Sequence, residues 1–265
     1  QINPAYIAGQ YRKNERGFPQ RKRICRVCHG EGVRWEAGKS RPCDHCDGTG
    51  IASDESVEQS IADPIAESLS GTEAVFNAAG QEADDVRVLG RGRPFVIEVK
   101  EPRQRPPDLA ALEAAVASES DEAVTVEVLV ETTNDMVQRV AESRTRETYR
   151  ATVTFDERVA ADELQAALDQ LDGATVRLHV EDDEGPRERL RTLPAVRGEL
   201  TDDLEATVEI ELTDDLDLRL VLAGTDGRAE PSLADMLGTG VSVDHLDIIA
   251  VAGVDGPILE ATGPN

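Results

Sequence analysis

Two copies of one short pattern, CRVCHGEG at Cys25–Gly32 and CDHCDGTG at Cys43–Gly50, constrain this chain more than any other feature. Each is a C-x-x-C-x-G-x-G unit, and together they use every cysteine the chain has. Four thiolates at this spacing suit a tetrahedral zinc ion, with the glycines letting backbone amides turn in toward sulfur. Cys25, Cys28, Cys43 and Cys46 are therefore the expected ligands of a structural Zn2+. His29 and His45, beside them, are read as neighbours and not as ligands. Because one cluster accounts for all four, a disulfide scaffold is not expected, and free or redox-active thiols are the alternative. A metal here would staple the preceding segment to the rest of the chain and needs no catalytic part.

Charge narrows the setting. Over 265 residues, Asp and Glu number 53 against 28 Lys and Arg, for a formal net charge of −25 and a pI near 4.5. Phosphate contacts need cations, so such a balance ordinarily argues against a nucleic-acid partner. Lysine, however, occurs only at Lys13, Lys22, Lys39 and Lys100, and arginine carries the remaining positive charge. That is the surface expected of a halophilic protein in a high-salt cytoplasm, where carboxylates hold hydration and repulsion is screened within a few Å. The placement of the cations is then the better guide to partners. No apolar run approaches the roughly 20 residues a bilayer crossing needs, and no leader is evident, so a soluble, cytoplasmic protein without a membrane partner is expected. The start at Gln1, without methionine, suggests an upstream part that has been lost or omitted.

Along the chain, residues 1–24 carry Tyr6, Tyr11, Arg12, Lys13, Arg16, Arg21, Lys22 and Arg23, which reads as an RNA contact or as a solvated tail. Ser56-x-x-Gln59 is a capping box opening a helix over Ser53–Leu69, with Val57, Ile61, Ile65 and Leu69 on one face. Val75–Arg105 reads as a strand, an acidic turn bounded by Gly80, a second turn at Gly90, Gly92 and Pro94 bearing Arg91 and Arg93, and a strand at Phe95–Val99. Arg87, Arg91, Arg93, Lys100, Arg103 and Arg105 beside Glu82, Asp84 and Asp85 would make a mixed-sign patch.

Asp108 caps a short helix through Leu109, Leu112 and Val116. A strand at Val124–Glu131, a helix at Asn134–Ser143, a strand at Thr148–Phe155 with Tyr149, and a helix at Asp162–Leu171 follow. Strands are expected around Ala174–Val180, Ala206–Leu212 and Leu218–Ala223, then a short helix at Ser232–Leu237 and a closing strand at His245–Val251. The acidic run Asp182-Asp183-Glu184-Gly185 is a solvated loop. The order implies an α+β fold with a mostly antiparallel central sheet and flanking helices. Residues 1–52 form a basic entry and zinc knuckle, and residues 53–265 form the main domain in two lobes, about 53–120 with 180–265, and 121–180.

The segment GQEADDVRVLGRGRPFVIEVKEPRQR resembles the signature of the tRNA pseudouridine synthase 10 family of archaea and eukaryotes, close to GRED-x-DVRxLGxGRPFxIE. Asn3-Pro4, Gly9 and Tyr11-Arg12-Lys13 match the family's NPxxxxGxYRK, and Ser56-Val57-Glu58 its SVEE. ETYRATV at Glu147 is similar to KTYxAxV. LAGTDGRAEPSLADMLG at Leu222 is similar to SGDxGRTxPSLxxLLG, with Gly224, Asp226, Gly227, Arg228, Pro231 and Ser232 in place. Paired C-x-x-C-x-G-x-G units also occur in DnaJ co-chaperones, so the knuckles alone leave a zinc-dependent co-chaperone open.

The resemblance implies a pseudouridine-synthase-like domain that isomerises uridines 54 and 55 of the TΨC arm of tRNA without a catalytic cofactor or a small-molecule partner. It implies a flipped target nucleotide stacked on an aromatic ring, and a separate amino-terminal RNA-binding part as a further partner. The family's catalytic aspartate falls on Ala83, and its neighbouring arginine on Gln81. Asp84 and Asp85 are then the candidate catalytic acids, and Tyr149, Arg87, Arg93, Arg228 and Tyr11 the candidate substrate-binding residues. The family's GxYIKE strand is replaced by a stretch with Asp215, Asp217, Arg219 and Leu220. An inactive relative that only binds tRNA is the alternative to an active synthase.

Overall fold

The computed structural model describes residues 3–36, 38–52, 55–105, 107–182, 185–213 and 216–259. Ser53, Asp183, Glu184 and Asp215, and the side chain of Asp226, lie outside them. The chain divides into two compact units: Gln1–Val88, Gly92–Glu142 and Ile258–Asn265 form the first, and Leu89–Arg91 with Ser143–Pro257 the second. Its α+β character is as the sequence implies.

In the first unit, β1 (Ala5–Lys13) lies between β5 (Arg87–Lys100) and β6 (Val124–Thr132), and β4 (Glu73–Ala78) pairs with β5, all antiparallel. The basic entry is thus no solvated tail. Its period of two turns Ile7, Gly9, Tyr11 and Lys13 to the buried side while Arg12 pairs outward with Glu127 at 2.9 Å. A small hairpin of β2 (Val33–Glu36) and β3 (Lys39–Pro42) precedes α1 (Val57–Ser68). Ser56 caps α1 by accepting from the Gln59 amide at 3.2 Å, and Val57, Ile61, Ile65 and Leu69 are buried at the expected spacing. Burial of side chains this size is worth about 1.5–3 kcal/mol each. Asp108 likewise caps α2 (Leu109–Glu119) through the Ala111 amide. Helix α3 (Asn134–Ala141) sets Met136, Val137 and Val140 against Ala8, Ala79, Val96 and Ile258.

The predicted turn at Gly90–Pro94 is not a turn. Strand β5 runs through it, with an irregular register in which Tyr11 opposes Arg93 but Lys13 opposes Val88. Gly90 and Gly92 hold φ of 61° and 80° there, and a Cβ on Gly92 would lie 2.3 Å from the Tyr11 carbonyl oxygen. The glycines permit a bulged strand to pass close to its neighbour, a use of Gly that a turn signal mimics.

The second unit is built on β10 (Ala195–Asp202), β11 (Glu205–Leu212), β7 (Thr145–Phe155) and β13 (Val241–Gly253), again antiparallel. Helix α4 (Ala161–Leu171) packs Leu164, Leu168 and Leu171 inward and lies on β10. A second sheet joins β8 (Thr175–Asp182), β9 (Gly185–Thr192) and β12 (Ala229–Glu230). The sequence reading passed over β9 and β10. It also expected a strand at Leu218–Ala223, which is instead helix α5. Asp217 caps that helix by accepting from the Arg219 amide at 3.0 Å, Gly224 ends it at φ 61°, and Leu218, Val221 and Leu222 are buried. Leu, Arg and Ala are strong helix formers, and the N-cap and C-terminal glycine set the bounds. Ser232 caps α6 (Leu233–Leu237).

Candidate functional site

Residues 79–86 connect β4 to β5 and carry the candidate acids. Four side chains hold this turn from beneath. Glu82 is buried, and its carboxylate accepts from Tyr11 Oη, 2.9 Å from both oxygens, and from Gln20 Nε2 at 3.0 Å. Arg93 is fully enclosed, ion-paired through Nε to Glu82 at 2.8 Å, and donates from Nη1 to the Ala79 carbonyl at 2.6 Å. A buried carboxylate is tolerable only with such a set of charged and hydrogen-bonding partners.

Lys13 does the same for the main chain. Its buried Nζ donates to the carbonyls of Phe18, Ala83 and Asp84 at 2.8, 2.9 and 3.0 Å, which uses all three ammonium protons. An arginine fork, being planar, cannot point three ways, which accounts for a lysine in a chain so poor in them. The Gly17 amide and Arg16 Nη1 take the carbonyls of Asp84 and Asp85, each at 2.9 Å.

Burial sets the protonation tendencies. The Tyr11 hydroxyl is pushed well above its usual value, first by burial and then by the Glu82 charge. Burial also lowers Lys13, opposed by Glu82, Asp84 and Asp85. Below the carboxylate lie the rings of Tyr11, Phe76 and Phe95, with centroids 5.8 to 6.1 Å apart.

This clamp leaves Gln81, Ala83 and Asp85 exposed and Asp84 half-buried, its carboxylate ion-paired with Arg23. Arg87 is half-buried. Of the predicted binding residues, Tyr11 and Arg93 offer no side-chain surface to solvent. Of the predicted mixed-sign patch, Arg93 pairs with Glu82, while Lys100 pairs with Glu73 at 2.9 Å and Arg105 donates to the Asn3 carbonyl. In the second unit, Tyr149 is half-buried on β7 between Ile210 and Ile248 and donates to Glu147 at 2.7 Å. Arg228 is exposed after the one-turn 3-10 helix Thr225–Gly227. The roles of Lys13 and Gln20 were not foreseen. The signal for Lys13 was its place two residues after Tyr11, on the inward face of an alternating strand.

The second candidate centre is the knuckle pair. All four cysteines are buried, with sulfurs within 4.8 Å of one another, Cys25 to Cys43 at 3.9 Å and Cys28 to Cys46 at 3.7 Å. Tetrahedral zinc with Zn–S near 2.3 Å requires about 3.8 Å between sulfurs. The two knuckles are built alike. The amides of Gly32 and Gly50 donate to Cys28 and Cys46 sulfur at 3.3 and 3.2 Å, and those of Cys43 and Cys25 to the carbonyls of Gly32 and Gly50, both at 2.8 Å. A Cβ on Gly32 would lie 2.3 Å from the Gly48 carbonyl, and one on Gly50 2.3 Å from that of Gly30.

Among themselves the thiols titrate unequally. Burial and the neighbouring thiols push Cys28 up to about 11. At Cys46 burial is outweighed by hydrogen bonds from the Gly50 amide and the other sulfurs, which pull it down to about 7. Soft donors, spacing and inward amides all fit zinc, which Cys25, Cys28, Cys43 and Cys46 would hold. The ion would supply cross-linking, not chemistry. His29 and His45 are exposed, and the potential ligand group contains neither.

The family model described as "Pus10, C-terminal" matches residues 6–252, and the chain belongs to that family. It is 42% identical over 97% of its length to a tRNA pseudouridine synthase Pus10 of Halorubrum lacusprofundi, covering 60% of that protein. Proteins of the same description from Methanothrix thermoacetophila and Archaeoglobus fulgidus are 36% and 38% identical over 96% and 95% of the chain, which covers 55% and 68% of them. The chain thus spans little more than half the length of the first two relatives. Among solved structures, a Cbf5-Nop10-Gar1 complex aligns over 69% of this chain and 42% of its own, at 12% identity and a TM-score of 0.42. Among the described residues, no helix is long and apolar enough to cross a membrane.

Proposed function

We propose that this chain is the uridine-isomerising part of an archaeal, halophilic tRNA pseudouridine synthase that acts in the cytoplasm on the TΨC arm, at positions 54 and 55. The observation that carries the reading is the clamped turn. A buried set of Tyr11, Lys13, Gln20, Glu82 and Arg93 fixes the backbone of residues 80–85, and so fixes where its outward side chains stand. Preorganisation of this kind is what a single carboxylate needs to meet a sugar carbon.

The isomerisation requires breakage of the bond from uracil N1 to C1′, rotation of the base, and formation of a bond from C5 to C1′, with the C5 proton lost and N1 protonated. No cofactor enters. The carboxylate serves as nucleophile or base, and Asp84 is the acid of the turn best supported for it. Arg23 orients Asp84 and balances its charge. Arg87 and Arg228 are assigned to phosphate, and Tyr149 to stacking on a base. Tyr11 and Arg93 act as positioning residues from within the clamp. The amino-terminal part of a full-length protein would add RNA contacts.

Ala83 favours a second reading, in which the chain binds tRNA without turnover. Glu82 is pinned on one side of Ala83, and the Val86 amide donates to the Ala83 carbonyl at 3.1 Å on the other. Sliding Asp84 into the place of Ala83 breaks one of these holds. Incubation with an unmodified tRNA transcript in molar salt, followed by mapping of pseudouridine, separates the readings. The catalytic reading expects product that Asp84→Asn abolishes and Asp85→Asn does not. Binding without product sinks it, and activity gained by Ala83→Asp with Gln81→Arg would then locate the loss in this turn.

A further inference from the structure

Trp35 is the only tryptophan of the chain, and 70% of it is exposed. It sits on β2 of the small hairpin that the knuckles hold at its base, directly after Gly32 and before Cys43. The hairpin offers both of its faces, since Arg34–Glu36 and all of β3 are exposed. Strand alternation gives the two faces different chemistry. Trp35 stands opposite Ser40 on one, and Arg34 opposite Arg41 on the other. Like charges directly opposed on antiparallel strands destabilise the pair. A bound anion removes that repulsion.

The surroundings have the same bias. Between residues 21 and 52, seven cations face four carboxylates, a local net charge of +3 in a chain of −25. Several cations elsewhere are neutralised in place: Arg12 by Glu127, Lys100 by Glu73, Arg150 and Arg197 by Glu209. Lys22, Arg26, Arg34, Lys39 and Arg41 have no carboxylate within ion-pair distance among the described residues. Hairpin ribbons that combine an exposed ring with unneutralised cations match single-stranded nucleic acid, in which a base stacks and its phosphates are paired.

We propose that the β2–β3 hairpin is an RNA-docking surface, with Trp35 stacked on an unpaired base and Arg34 and Arg41 on the flanking phosphates. The inference rests on the reading that this chain acts on RNA, but not on its being catalytic. It assigns the knuckle module a task beyond stapling, because the metal centre fixes the base of the ribbon.

As the sole tryptophan, Trp35 reports its own contact. Unmodified tRNA transcript added to the whole chain is expected to quench the intrinsic fluorescence, and a blunt RNA duplex of equal length to quench it far less. In binding to labelled transcript, Trp35→Ala is expected to lose about tenfold in affinity. Arg34→Gln with Arg41→Gln lowers the slope of log affinity against log salt by about 1 to 2. Zinc content equal to that of the parent chain certifies that each variant is folded. Transcript binding without quenching, or full affinity in Trp35→Ala, overturns the proposal. So does quenching by an acidic peptide but not by RNA, which would mark a protein interface. Pseudouridine mapped in the same samples keeps the two readings apart: no product with quenching intact defeats the catalytic reading alone, and product with undiminished Trp35→Ala binding defeats only this one.

Discussion

The knuckle module and the acidic turn both bury polar groups, yet they are assembled on opposite plans. In the module, every sulfur and every amide that serves it falls within 26 residues, and the second knuckle repeats the first down to the positive φ of His29 and Asp47. In the turn, Glu82 is met by Tyr11 and Gln20 from 71 and 62 positions away, and Lys13 reaches Ala83 across 70. With a metal on its four sulfurs, the module would draw on little else of the fold. The turn needs the whole first unit in register, because only the pairing of β1 with β5 and the connection after β1 bring its partners together.

Removal of one thiolate should give the largest effect and the most confined one. Cys43→Ser is expected to reduce zinc from about one per chain to near zero by elemental analysis, and to abolish amide protection over residues 25–50. Structural zinc contributes about 10–16 kcal/mol of apparent binding in small modules. Helix α1 and the turn should keep their protection. Parent protein containing no zinc would refute the centre, and loss of protection throughout the first unit would refute the module's independence.

The turn should fail the other way, less deeply and everywhere at once. Glu82→Leu strands Arg93 without its counter-charge, at about 3–5 kcal/mol. Glu82→Leu with Arg93→Met removes both charges and should recover much of that loss in denaturant unfolding. A double variant no better than the single would mean that the pair contributes through its hydrogen bonds to Tyr11 and Ala79 and not through charge compensation.

The same contrast explains what could be read in advance. The knuckles, the cap at Ser56 with Val57, Ile61, Ile65 and Leu69, and the cap at Asp108 were legible because their partners lie within a few residues. The glycines at 90 and 92 were legible as special and misread as a turn, since the pressure on Gly92 comes from Tyr11 and that on Gly90 from Ile249, both far off in sequence. Leu218–Ala223 was misread because leucines at every second position, 218, 220 and 222, mimic a strand and outvoted a cap at Asp217 and a stop at Gly224 that were equally visible. Arg93 and Tyr11 were picked as binding residues on their chemistry. Only coordinates reveal that their charge and hydroxyl are turned inward onto Glu82. Trp35 went unremarked because a lone aromatic acquires meaning only with its exposure.

Alkali should sharpen the comparison with its smallest effect. Tyr11 keeps its proton in the folded chain beyond the usual tyrosine value of 10.0, burial being the main cause and Glu82 the next. A raised folded value means that the associated stability is complete below pH 10 and drains away as pH climbs past it, because only the unfolded chain then sheds the proton. Lys13 acts with the opposite sign. Its folded value is lowered from 10.5, so stability rises with pH in the window below that value and is flat above it. The net loss should therefore set in late, above about pH 10.5, where Lys13 no longer offsets Tyr11 and where the raised values of Tyr6 and Lys100 act in the same direction as Tyr11. Phenolate absorbance from Tyr11, taken as the difference between the parent chain and Tyr11→Phe, should appear only together with loss of secondary structure. Its appearance near pH 10 with the fold intact would mean that the hydroxyl is open to water and that Glu82 is not clamped as described. The knuckle module has no tyrosine, and its sulfurs should hold their metal through this range, so zinc retention beyond the unfolding of the turn would separate the two plans in a single titration.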